Sequence, residues 1–254
     1  MTALVSAEVL KLRTTRAWIG VLLAVASFSG LGAAATVGSA PDADLGSVDL
    51  SRDVLSAATF AGFLAFLWGI TVVTSEWRHG TITRTFLLTP RRARVLFAKG
   101  AAGLVIGVTL AVVALLVVLA VAVTWLAIEG STFALDRDVV EVVVRIAASA
   151  ALWGAIGVGV GAVLQSQTPA LIVGIVWVLV LEPLLEPLLG LVDLGRVASF
   201  LPAHALASLE GEASSSSTDA ADALGPWAGG LVALGWIVLL GLLGALRMAR
   251  RDVT

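Results

Sequence analysis

Residues 170–191 read ALIVGIVWVLVLEPLLEPLLGL, and the reading of this stretch decides the fold. The first twelve residues, Ala170–Leu181, are uncharged and apolar; Glu182, Pro183, Glu186 and Pro187 follow. At about 1.5 Å per helical residue the uncharged run covers roughly 18 Å, short of a hydrocarbon core of about 30 Å. Either the run stops partway, or it continues toward Leu191 and crosses a membrane. The two readings differ by one span.

The rest of the chain chooses between them. Its 254 residues are 59% hydrophobic and only 13% charged, with a mean hydropathy of +1.01. A soluble domain is about 45–50% apolar and about 25% charged, so the excess marks a membrane protein. Five uncharged runs approach or exceed the roughly 20 residues a spanning helix needs: 17–40, 54–75, 101–128, 146–164 and 227–246. The first exceeds the h-region of about 7–15 residues typical of a signal peptide, and it reads as a span.

Basic residues flank these runs unevenly. Lys11, Arg13 and Arg16 precede the first; Arg247, Arg250 and Arg251 follow the last. Arg78, Arg84, Arg91, Arg92, Arg94 and Lys99 lie between the second and third. Basic residues near span ends favour the cytoplasm. Both termini are then cytoplasmic, which requires an even number of spans, so 170–191 crosses as the fifth of six. Only Arg52, Arg137, Arg145 and Arg196 fall outside, together with most of the acids. The arginine-rich, alanine- and valine-rich composition suggests a bacterial source and a bacterial cell membrane.

The Glu-Pro repeat predicts a break or kink. Proline lacks the amide donor and crowds the carbonyl four residues back. A re-entrant or interfacial hairpin from Pro183 to Leu209 is expected on the outer side, including Pro202, with Glu182 and Glu186 capping and solvating the broken end. The 192–226 stretch is expected as an extracellular loop. Residues 1–16 read as an interfacial helix, with Leu4, Val5, Val9 and Leu12 on one face. The fold class is therefore all-α: a single polytopic transmembrane domain over residues 1–254.

The chemistry missing from the chain narrows its function. There is no cysteine and only two histidines, His79 and His204, which leaves no thiolate site and a poor metal site. A phosphate-binding P-loop needs lysine followed by serine or threonine; here Lys11 precedes Leu12 and Lys99 precedes Gly100. No H-E-x-x-H and no G-x-S-x-G occurs. The five clear runs contain no ionisable group to serve as a proton relay. No cofactor, metal, catalytic residue or nucleic-acid partner is indicated. If the chain moves something, a partner supplies the energy.

Residues 75–100, SEWRHGTITRTFLLTPRRARVLFAKG, hold the largest basic cluster. Anionic membrane lipid accounts for Arg91, Arg92, Arg94 and Lys99, at about 1 kcal/mol for each basic residue near the surface. Thr89 and Pro90 suit the N-cap and first position of the next helix. Lipid attraction does not account for Glu76 to Leu88, where Ile82, Phe86 and Leu87 share a helical face. That piece suits a segment lying along the membrane and offering its other face to a soluble protein. A membrane anchor that recruits such a partner without transport is the alternative to a transporter; an intramembrane enzyme lacks its nucleophile and base.

The stretch Glu76-Trp77-Arg78-His79-Gly80-Thr81-Ile82, followed by Leu87 to Arg94 and Lys99, resembles the signature of type-2 ABC exporter permeases. In that family an E-x-R-x-G-T segment leads from the second span into a cytoplasmic coupling helix, and a P-x-x-R piece opens the third. Glu8 to Arg16 resembles the family's N-terminal interfacial helix, and Leu201-Pro202-Ala203 its outer hairpin. The resemblance covers nearly the whole chain. It implies a coupling segment at 76–98, with Glu76, Trp77, Arg78, Gly80, Thr81 and Arg84 at the joint to a separate ABC ATPase present in two copies. It also implies a second permease chain, identical or related, and ATP and Mg held by the ATPase. Export of an amphipathic or lipid-like compound or drug is the implied activity.

Overall fold

The computed structural model describes residues 17–80, 92–192, 194–211 and 224–250. The N-terminal sixteen residues, the middle of the coupling segment at 81–91 and the serine run 214–217 lie outside these, so the interfacial helix and that part of the coupling segment are not described. Every regular element among the described residues is helical. They are α1 Ala17–Ser39, α2 Val48–Ser56, α3 Phe60–Arg78, α4 Arg92–Ile128 and α5 Arg137–Leu164. Then come α6 Gln167–Val176, α7 Glu182–Gly190, α8 Gly195–Ala198, α9 Pro202–Glu210 and α10 Pro226–Arg250. Six stretches are long and apolar enough to span a membrane, and 167–190 is one of them.

The middle of the bundle is α5, which packs against α3, α4 and α10 and touches α2, α6 and α9. Of its apolar window 72% is buried, against 17% for the first and fifth spans, which lie at the periphery. Small residues place it there. A Cβ on Gly154 would stand 2.2 Å from the Gly103 oxygen, and one on Gly157 2.1 Å from the Phe66 oxygen. The backbones of α3 and α4 thus lie directly against α5, as small residues permit between membrane helices.

The fifth span passes the Glu-Pro repeat without the full break that was one of the two expectations. Between α6 and α7 the chain widens into a π-helical turn, Trp177–Leu181, in which the Glu182 N–H reaches the Trp177 carbonyl five residues back. Pro183 follows at once, in the first turn of the resumed α-helix, where its missing donor costs least. The extra residue in the wide turn lets the ring pass the preceding turn, so the helix runs on to Gly190 with Pro187 inside it. The hairpin is correspondingly different. Its first limb is the end of the fifth span itself, and its second is α9, which lies on α10 and α5. The presumed loop 192–226 contains α8 and α9.

Other ends move outward. The second apolar stretch begins as α2, whose Leu50 N–H is capped by Ser47 Oγ at 3.1 Å. Leu50, Val54 and Leu55 are buried, so this part of the acidic loop is packed helix. Arg52 pairs with Asp138, and the Ala134 N–H donates to Ser51 Oγ at 3.1 Å, which tie α2 to the start of α5. The third span is far longer than the apolar run: α4 has 37 residues, about 55 Å, and must extend beyond the hydrocarbon core.

Candidate functional site

The up-and-down course of the spans sets two ends. The end of α3, the starts of α4 and α6 and the last turns of α10 share one, the basic end. Glu76 sits in the last turn of α3 and turns inward. Its carboxylate meets Lys99 Nζ of α4 at 2.9 Å, and Nζ also donates to the Val72 carbonyl at 3.2 Å. Glu76 is 7% exposed and Lys99 1%. Two opposite charges removed from water together hold each other and restrain both helices.

This corrects the reading of Lys99 as a lipid-facing base, and it turns Glu76, expected at the joint to the ATPase, inward to α4. The signal for Lys99 was in the sequence: it falls on the helical face of Val95, Leu96, Ala102 and Ile106, all buried. Both residues also lie just past the ends drawn for the uncharged runs, within continuous helices.

The neighbouring residues remain outward. Arg78 is exposed and donates from Nη1 to Gln167 Oε1 of α6 at 3.2 Å. His79 Nδ1 lies 2.8 Å from the Ser75 oxygen. Gly80 ends the helix in the left-handed region at φ 65°, which glycine adopts without strain. Trp77 is partly buried against the core. Arg94 is exposed. Thr81, Arg84 and Arg91 and the Arg92 side chain fall outside the described residues.

A second polar cluster occupies the opposite end, and His204 is its member that sequence reasoning missed. Glu182 is fully buried. It accepts from Trp177 Nε1 and from the Ala203 N–H, the latter at 2.8 Å. Pro202 opens α9, so Ala203 carries one of the amides a helix start leaves unsatisfied. Glu182 supplies that partner from another helix. His204 lies between two carboxylates, with Nδ1 3.5 Å from Glu182 Oε2 and Nε2 3.0 Å from Glu186 Oε2. The first distance suits an ion pair without hydrogen-bond geometry. The Glu182 carboxylate, with Glu186 adding to it, raises the His204 pKa above its ordinary 6.5 against the opposing effect of burial. Glu182 and Glu186 therefore join α7 to α9, where solvated caps were expected.

Among the described residues no group of His, Asp and Glu could hold a metal ion. What the arrangement provides is mechanical: helices pinned at each end by buried charge, with an exposed arginine and a turning glycine at the basic end. No curated protein matches the chain. A family model described as ABC-2 family transporter protein matches residues 5–253, nearly the whole chain. With six spans and a match of that extent, the chain belongs to the ABC-2 transporter family, as a membrane permease subunit of an ABC transporter.

Proposed function

We propose that this permease exports an amphipathic or lipid-like compound or drug from a bacterial cell, driven by a separate ATPase docked at the basic end. Both termini and residues 76–98 then face the cytoplasm. Two permease chains, identical or related, pair with two ATPase subunits. The observation that carries the reading is the pinned end of α3. Arg78 is exposed beside Gln167, Gly80 turns the chain, and one turn inside them Glu76 is paired with buried Lys99. A load applied beyond Gly80 passes into α3 and, through the ion pair, into α4. Both helices lie against α5, so closure of the ATPase would move the centre of the bundle.

The joint needs a polar contact that can be lost without unfolding the spans, and Arg78 fits that role. Purified in mild detergent, the wild-type chain should bring down a P-loop ATPase, identifiable by mass spectrometry. Arg78→Glu should reduce its recovery at least about tenfold, as expected when the sign of a charge is reversed at a polar interface, and should abolish ATP-dependent transport with membrane insertion unchanged. Equal ATPase recovery and equal transport in the variant would overturn the assignment.

A further inference from the structure

We propose that a cavity inside a single chain, between α3, α5, α6 and α10, is a binding site for an uncharged hydrocarbon or aromatic group. Phe66, Trp153, Trp177 and Trp236 wall it, Pro202 of α9 covers one side, and its volume is about 250 Å³. An apolar hole of about 150 Å³ already accepts a benzene ring, so this one takes a two-ring aromatic or a branched hydrocarbon segment.

The wall is built to be apolar. The Trp177 indole N–H is donated to Glu182 and the Trp236 indole N–H to the Phe200 carbonyl at 2.8 Å. Both polar handles are thus satisfied by neighbouring groups, which leaves carbon to meet a ligand. Phe66 and Trp153 meet edge to face, with centroids 5.3 Å apart. Gly174 lets α6 approach them, since a Cβ there would stand 2.9 Å from Phe66 Cε1. No charged side chain is among the lining residues, so a charged head group is excluded from the interior. Val173, a wall residue, is 47% exposed on the peripheral fifth span. The site therefore opens toward the apolar surface that a bilayer covers.

The same two tryptophans bear on the polar cluster. Trp177 is held by Glu182, which also caps α9, and Trp236 is held by the turn just before α9. A ligand that shifts either ring shifts the support of α9. Occupancy is a property of one chain and stands or falls apart from ATPase docking.

The hydrocarbon could be a free solute or the acyl chain of a surrounding lipid. The full-length chain in lipid nanodiscs, without ATPase, distinguishes them by quenching of tryptophan fluorescence. In one arm 1-bromonaphthalene is titrated; in the other the lipid carries dibrominated acyl chains. Val160→Phe and Val178→Phe fill the cavity from two different helices, and Leu179→Phe, on the exposed face, is the control.

Saturable quenching by the solute, with the apparent Kd raised at least about tenfold in both filled variants and unchanged in the control, supports a solute site. Stronger quenching by brominated lipid in wild type and control than in both filled variants supports the same site with lipid as its source. Quenching that rises linearly with solute and is equal across all four proteins in both arms overturns the proposal. So does a loss that the control shares.

Discussion

Glu76 and Lys99 show what one buried pair does to a membrane helix. Each charge alone would be costly in so dry a place, and each is tolerated because the other is 2.9 Å away. Removing one partner should therefore cost more than removing both. Lys99→Met removes the ammonium 2.9 Å from the buried Glu76 carboxylate and should destabilise the detergent-solubilised protein by about 3–5 kcal/mol. The double variant Glu76→Gln/Lys99→Met should recover most of that loss, read as the thermal unfolding midpoint. A double variant no more stable than Lys99→Met would mean that the pair contributes through contacts other than charge. Neither residue was legible as buried from charge alone, because a basic residue beside a span end ordinarily reads as a lipid anchor. The helical phase of Lys99 with Val95 and Ala102 carried the information.

At the scale of elements, the fifth span and α9 behave as one unit. The π turn at Trp177–Leu181 rotates Glu182 inward, where it caps α9 and faces His204. The titratable groups facing His204 are Glu182 and Glu186 on α7, and neither α5 nor α10, which also pack on α9, adds a charged group in ion-pair reach among the described residues. Because the folded pKa of His204 is raised, its charged form is the one stabilised. Its contribution is complete below the ordinary value of 6.5 and is lost as pH rises through the higher folded value. The gap in thermal midpoint between wild type and His204→Gln should accordingly be widest at acid pH and narrow as the solution becomes alkaline. A gap that does not change with pH would show that His204 acts by packing. The Glu-Pro repeat was visible in the sequence, but its effect was not. Proline is passed here because the turn before it widens to the π form, which the residue types alone do not announce.

For the whole molecule, the orientation in the membrane is the property most open to direct test. The chain contains no cysteine, so a single introduced thiol reports its own location. His79 and Glu129 are both exposed and lie at opposite ends of the bundle. If the basic end is cytoplasmic, Glu129→Cys should react with a membrane-impermeant maleimide in intact cells. His79→Cys should react only after permeabilisation. The reverse pattern would invert the topology and place the coupling segment where no ATPase could reach it. The physical basis of the expectation is that the six-span reading of the sequence assigns twelve of sixteen basic residues to the side of His79, where the membrane potential and anionic lipid would retain positive charge.

By itself the sequence determined the number of apolar spans and the all-helical class. Those follow from the length of apolar runs and the placement of charge, which are properties of residues in order along the chain. It also carried the glycines that bring α3 and α4 against α5. Tertiary structure decided which polar groups are hidden. Lys99 is drawn under α3, Glu182 is enclosed by Trp177 and α9, and His204 comes between two carboxylates from another helix. Their environment depends on helices distant in sequence, and burial of a charge is settled only when the groups that pair with it are brought into reach.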